Sequence, residues 1–152
     1  MRTVEEIMNE IDSHYDAIKK LKNERAQARL KDILVNKLKL GKTYYKFRNC
    51  FHDDMEYFGV ATAFWFSETE SEYVFEFTGF GSEHTDFFDG NWFSYDAQFQ
   101  WYINEAYIDK FLNHFEEITE EEFLNEFDTR IKKVRKDMMA FSRVIPYEGE
   151  QD

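Results

Sequence analysis

The chain has 152 residues, of which 19% are aromatic, and it contains a single cysteine, Cys50. This length is typical of one domain, and a lone cysteine excludes an internal disulfide framework, so we expect a single domain in a reducing cytoplasm. The net charge of −12 is concentrated in residues 51–129, which carry 20 acidic side chains and one basic one, and no apolar run approaches the ~18–20 residues that span a bilayer.

Residues 1–40 are predicted to be helical. Thr3 and Glu6 stand at capping-box spacing, and apolar residues then recur at intervals of three and four. One unbroken helix over residues 3–39 would be ~55 Å long at ~1.5 Å per residue, which exceeds the width of a small domain. The pattern therefore predicts either a break near Asn23 or a helix that projects and finds a partner.

A homodimer is one way to cover a projecting helix. Its seam would follow the apolar repeat that starts at Val4, although two polar residues, His14 and Arg25, fall on this seam. The sequence therefore leaves open a structural or assembly protein that dimerises through its N-terminal helix.

The period changes to two over residues 42–103, which predicts an antiparallel meander of four to five strands. Tyr57–Ser67 is apolar on both faces and is expected to be a central strand, covered on both sides. The next strand is expected to end at Gly79 or Gly81, and Trp92–Tyr102 alternates as a half-buried strand does.

Strict alternation also assigns side chains to faces of the sheet. It places Phe58 and Phe64 on the same face of the central strand. It likewise places Phe93 and Trp101 on the same face of the last strand.

Residues 104–142 are predicted to form C-terminal helices, followed by an acidic tail over residues 143–152. The strongest local signal is Ile118–Phe123, in which Thr119 and Glu122 form a second capping box. The predicted fold is therefore α+β, with an N-terminal helical segment, an antiparallel meander and C-terminal helices in one domain.

Catalytic and metal-binding motifs are not evident, so we expect a protein that is not an enzyme and needs no cofactor or metal. The four histidines are far apart and lack a second ligand at zinc spacing. Cys50 is interpreted as a small buried hydrophobe, and no nucleophile motif accompanies any serine.

An acidic surface is the first candidate binding feature. We expect its carboxylates to engage a basic nucleic-acid-binding site on another protein and to repel nucleic acid itself. The candidate residues are Glu68, Glu70, Glu72, Glu83, Asp86, Asp89, Glu116, Glu117, Glu120, Glu121 and Glu126. The alternative interpretation is a solvated acidic surface without a partner.

An aromatic pocket is the second candidate. Trp65, Trp92 and Tyr102 could be exposed and stack on a base, which would suit an oligomeric sponge for a signalling nucleotide. The alternative interpretation assigns these side chains to the core.

Two stretches, Gly41–Asn49 and Ile118–Phe123, resemble the layout of small uncharacterised proteins from Gram-positive phages and prophages. The resemblance implies a phage or mobile-element origin and action in the host cytoplasm. It also implies an antagonist of host defence, such as a CRISPR inhibitor. The leading hypothesis is therefore an acidic inhibitor of a host defence nuclease, with the nucleotide sponge and the dimeric assembly protein as alternatives.

Overall fold

A computed structural model describes residues 1–48, 55–85 and 90–144, with side chains described except at 83–85, 90–92 and 140–144. The elements in chain order are α1 (Val4–Asn36), β1 (Tyr44–Arg48), β2 (Glu56–Ser67), β3 (Glu72–Thr85), β4 (Gly90–Asn104), a 3-10 turn (Glu105–Tyr107), α2 (Ile108–Leu112), β5 (Glu116–Ile118) and α3 (Glu120–Val144). This is the predicted α+β arrangement. Cys50 and residues 145–152 of the predicted tail lie outside the description. In the described ranges, no helix has both the length and the apolar character needed for membrane crossing.

The five strands form one antiparallel sheet in the order β4-β3-β2-β1-β5. The first four follow the chain as a meander, as predicted. β5 was not anticipated, because the sequence pattern predicts only helices over residues 104–142. It pairs with the free edge of β1, with Glu116 opposite Lys46 and Ile118 opposite Tyr44.

The C-terminal half of α1 and the short helix α2 cover one face of the sheet. Ala26 and Ile33 of α1 and Phe111 of α2 are no more than 1% exposed. At the centre of this layer, the ring of Phe47 stacks on Phe115, with centroids 4.3 Å apart. Aromatic packing therefore fixes where α1 meets the sheet.

The opposite face carries α3. Phe123 contacts the rings of Tyr44 in β1 and Phe80 in β3, and Phe127 contacts Phe80 and Phe93. The helix therefore crosses the sheet from the β1 side toward β4. The molecule has three layers, with the sheet between helices.

A bulge in β2 changes the predicted face assignment. The register with β3 shifts between Ala61 and Ala63. As a result Phe64 packs in the α1 layer, where it stacks on Tyr73, whereas Phe58 lies under α3. The prediction that Phe58 and Phe64 share a face is wrong, because the extra residue reverses the alternation.

A second irregularity also changes the predicted face assignment, in β4. The register with β3 shifts between Phe77 and Gly79. Trp101 therefore packs on Phe47 in the α1 layer, while Phe93 contacts Phe127 of α3. The prediction of one aromatic face along this strand is also wrong.

Candidate protein-docking surface on helix α1

Helix α1 runs without a break for 33 residues, from Val4 to Asn36, which corresponds to ~50 Å. Of the two predicted alternatives, the break near Asn23 does not occur and the helix projects. Every residue from 1 to 22 is exposed, and the first buried residue of the helix is Ala26. Residues 1–22 are called the arm below.

The base of the arm is anchored to the body by a buried hydrogen bond. The hydroxyl of Tyr73 donates to the carbonyl oxygen of Ala26, with an oxygen–oxygen distance of 3.3 Å. Burial raises the pKa of the Tyr73 hydroxyl, and the nearby carboxylate of Glu105 raises it further. The hydroxyl therefore stays protonated and able to donate, which holds this turn of α1 against β3.

Two arginines fix the direction in which the helix leaves the body. Arg25 contacts the carboxylate of Glu105 at 3.1 Å, and Arg29 is paired with Asp109. Both carboxylates belong to the segment that follows β4. Because a guanidinium on each of two successive turns is held by a carboxylate of the body, the helix cannot pivot far.

The arm presents a stripe of apolar side chains to solvent. These side chains are 44% to 73% exposed and are spaced by one, three or four residues, which places them on one side of the helix. The stripe comprises Val4, Ile7, Met8, Ile11, Tyr15, Ile18 and Leu21. His14 lies on the same side, as the sequence predicts. Such a stripe is typical of a helix that binds another helix.

The charges of the arm are divided between its two ends. Residues 5–16 carry five acidic side chains and no lysine or arginine, whereas residues 19–22 carry three lysines and no acid. Near the tip, Arg2 is paired with Glu10. The tip is therefore net negative and the base is net positive.

A groove of about 770 Å³ separates the base of the arm from the body. One wall is formed by the arm and by the turn of α1 that follows it, and the other by the β2–β3 turn and the residues after β4. The lining includes Tyr15, Ile18, Lys19, Lys22, Phe66, Ser71, Asn104 and Ala106. Because Tyr15 and Ile18 belong to the apolar stripe, the stripe runs into this groove.

The predicted acidic residues fall in separate places. Glu116 and Glu117 lie on β5, Glu120 and Glu121 begin α3, and Glu126 is two turns further along that helix. Three of them contact bases of the same chain: Glu116 with Lys46, Glu117 with Lys39 and Glu126 with Arg130. This group forms one acidic edge, which is partly neutralised.

The remaining acidic candidates lie elsewhere on the molecule. Glu68 and Glu70 are in the β2–β3 turn, where Glu72 begins β3, while Glu83 is near the far end of that strand. Eleven residues of extended strand correspond to ~36 Å, so the backbone of Glu83 lies far from the β2–β3 turn. Asp86 and Asp89 lie outside the described residues.

The three aromatic candidates do not line a common pocket. Trp65 of β2 and Tyr102 of β4 both lie opposite Val74 of β3, and they are 38% and 54% exposed. Trp92 pairs with Glu83 at the other end of β4, ten residues and ~33 Å from Tyr102. Its side chain is outside the description.

Metal chemistry has no evident site in the described ranges, where no group of three or more His, Cys, Asp or Glu side chains could hold an ion. Comparisons with protein-family models, curated proteins and solved structures found no match to this chain. The most distinctive feature for binding is thus the arm with its groove. The sequence indicated the arm through its length, but the groove residues Phe66 and Asn104 carry no recognisable motif.

Proposed function

We propose that this protein is a non-enzymatic structural or assembly protein that dimerises through the arm. The observation that carries the proposal is the apolar stripe, which faces solvent along about five turns of the arm. A single helix of this length is marginally stable in water without tertiary packing, so an arm of this kind is stabilised by a partner.

The exposed apolar area is large enough for dimerisation. Full burial of one such side chain contributes ~1.5–3 kcal/mol, so seven half-exposed side chains on each of two copies supply on the order of 15 kcal/mol. Association costs ~4–15 kcal/mol in lost freedom of motion. The difference ranges from about zero to ~11 kcal/mol, a range that includes a dimer with a Kd on the order of micromolar.

The apolar stripe favours a second copy of this chain as the partner. The same stripe on both chains is self-complementary, as a two-fold interface requires, and two-fold dimers are the commonest assemblies. The body leaves room for another helix, because the groove opens beside the stripe.

Replacement of stripe residues by serine tests the proposal. We expect Ile7→Ser, Ile11→Ser and Ile18→Ser together to convert the dimer into a monomer of 18.5 kDa, because the seam loses its apolar contacts. Sedimentation equilibrium measures this change. Thermal unfolding of the body should be unaltered, since all three side chains are exposed.

The matched control removes apolar groups outside the arm. Val35 and Leu124 are 73% and 50% exposed, and Val35→Ser with Leu124→Ser should leave the dimer intact. A wild-type chain that stays monomeric at about 100 µM would remove the proposal.

An anionic docking edge is the second candidate function. Glu120 and Glu121 are exposed at the start of α3 and form no ion pair with any other described residue. Glu117 lies close by in sequence on β5. These carboxylates support the proposal that the protein inhibits a host defence nuclease by occupying its basic nucleic-acid channel.

Charge neutralisation separates this candidate from the first. We expect the wild-type protein to reduce DNA binding by an RNA-guided nuclease at low salt, and Glu120→Gln with Glu121→Gln to weaken this inhibition about fivefold or more. Glu68→Gln with Glu70→Gln, at the end of the sheet, is the matched control and should inhibit as wild type does. If the wild-type protein leaves DNA binding unchanged across a panel of such nucleases, the candidate fails.

A further inference from the structure

We infer that the second copy lies antiparallel to the first, with the acidic tip of each arm against the basic base of the other. This inference rests on the proposed dimerisation and adds its geometry. It uses three independent features of the arm: the division of charge, the spacing of the stripe and the position of the groove.

The division of charge distinguishes the two possible orientations. A parallel pair would bring Glu5 and Glu10 of one copy beside the same residues of the other, and would do the same with Lys19 and Lys22. An antiparallel pair instead brings acids to lysines at both ends. Like charges held side by side oppose association, so the observed sequence favours the antiparallel pair.

The stripe also has a register that suits this orientation. If Val4 of one copy lies opposite Leu21 of the other, then Ile7 lies opposite Ile18, and Ile11 lies opposite His14. Two-fold symmetry repeats each pair. Val4, Ile7, Ile18 and Leu21 then have apolar partners, Met8 lies opposite Ala17 and Tyr15 lies opposite Glu10. The two imidazoles lie near the centre of the seam.

The groove gives this register additional contact area. In this register, residues 2–6 of the other copy, which include Glu5 and Glu6, lie beside residues 19–23 at the mouth of the groove. Lys19 and Lys22 line the groove and form no ion pair within the described ranges, whereas Arg25 and Arg29 are already paired with the body. The two lysines are therefore the cations available to the incoming acidic tip.

The area of a stable interface supports the same conclusion. A specific interface buries ~800 Å² on each partner, and the walls of the groove add to the area that the two arms bury against each other. Continuation of the interface into the groove brings Phe66 and Asn104 of the body into contact with the other copy. A parallel dimer would leave the groove empty and would bury less surface.

Cysteine cross-linking determines the orientation. In a Cys50→Ser background, Ile7→Cys and Ile18→Cys are made as separate proteins, then oxidised alone and as a mixture. The antiparallel register predicts that the mixture gives a disulfide-linked pair of unlike chains and that neither protein cross-links efficiently alone. A parallel dimer gives the opposite pattern, in which each protein cross-links with itself.

The matched control uses two residues that face each other in the same register but lie outside the apolar stripe and the groove lining. Asp12→Cys mixed with Ser13→Cys should not cross-link, because neither side chain belongs to the seam. Cross-linking of this pair as fast as the seam pair would indicate random collisions and overturn the inference.

Salt dependence provides a second readout. Attraction between tip and base predicts that Kd rises as sodium chloride is increased, and that Lys19→Glu with Lys22→Glu raises Kd about tenfold or more at low salt. Lys132→Glu with Lys133→Glu on α3 is the control and should leave Kd unchanged. A dimer whose Kd falls with added salt contradicts the antiparallel arrangement alone, whereas a monomer under every condition contradicts the proposed function as well.

Discussion

At the scale of single residues, two glycines determine how closely β2 and β3 approach each other. Gly59 and Gly79 face each other across the strand pair. A Cβ atom on Gly79 would lie 2.0 Å from the carbonyl oxygen of Phe58, and one on Gly59 would lie 2.1 Å from that of Thr78. Only residues without a side chain fit here, because backbone atoms occupy the space on both sides.

The sequence pattern assigns these glycines a different role. The third strand is expected to end at Gly79 or Gly81, since glycine usually interrupts strands. In the structure β3 continues through both to Thr85. A glycine that stops a strand and a glycine that admits a neighbouring backbone look the same in one sequence, so only the pairing partner distinguishes them.

We predict that Gly79→Ala lowers the free energy of unfolding by about 3 kcal/mol or more, because the clashing atom is backbone and cannot rotate away. Urea denaturation followed by circular dichroism measures the loss.

Gly41→Ala is the matched control: Gly41 has a φ of +98° with no other atom within 4 Å of the added Cβ. Its cost should be about 1 kcal/mol, from backbone strain alone. Equal costs for the two substitutions would show that the strands do not approach so closely.

At the scale of elements, the helix starts were predictable because their causes lie within four residues. The Thr3 hydroxyl accepts from the amide of Glu6 at 3.1 Å, and the Glu6 carboxylate accepts from the amide of Thr3 at 3.2 Å. The Thr119 hydroxyl likewise accepts from the amide of Glu122 at 3.1 Å. Such capping is a property of the local chain and needs no tertiary contact.

The bulges were not predictable because their cause is not local. Apolar side chains occupy both faces of β2, and the one polar residue inside the strand, Thr62, does not by itself show that the alternation reverses there. The reversal is set by the register with β3 and by the helices above and below. β5 escaped prediction for the same reason, since its three residues become a strand only by pairing with β1.

At the scale of the whole molecule, one periodic pattern serves two purposes. The apolar repeat of α1 is buried against the sheet around Ala26 and Ile33 but faces solvent along the arm. The hydrophobic spacing is helical in both halves, so the sequence predicts the helix but cannot show which half meets the body. The candidate site depends on which half of α1 is exposed, and this is determined by where the sheet packs against the helix.

The arm and the body are therefore expected to be separable. The chain that starts at Asn23 keeps every buried residue of α1, and an asparagine is well suited to cap the shortened helix. We predict that this chain folds with a free energy of unfolding within about 1 kcal/mol of the wild-type monomer, because no buried contact is lost. It should remain monomeric in sedimentation equilibrium.

A chain that starts at Lys42 is the informative comparison, since it removes the whole helix. It loses Ala26, Ile33 and Leu38 from the core, each no more than 1% exposed, and leaves one face of the sheet open. Loss of a buried Leu or Ile side chain costs about 2–5 kcal/mol, so this chain should not fold. Urea denaturation of both chains measures the difference.

If the longer chain unfolded like the shorter one, the arm would be part of the fold. If it still dimerised, the dimer interface would lie on the body. The arm is a docking element only if its removal abolishes association and leaves stability unchanged.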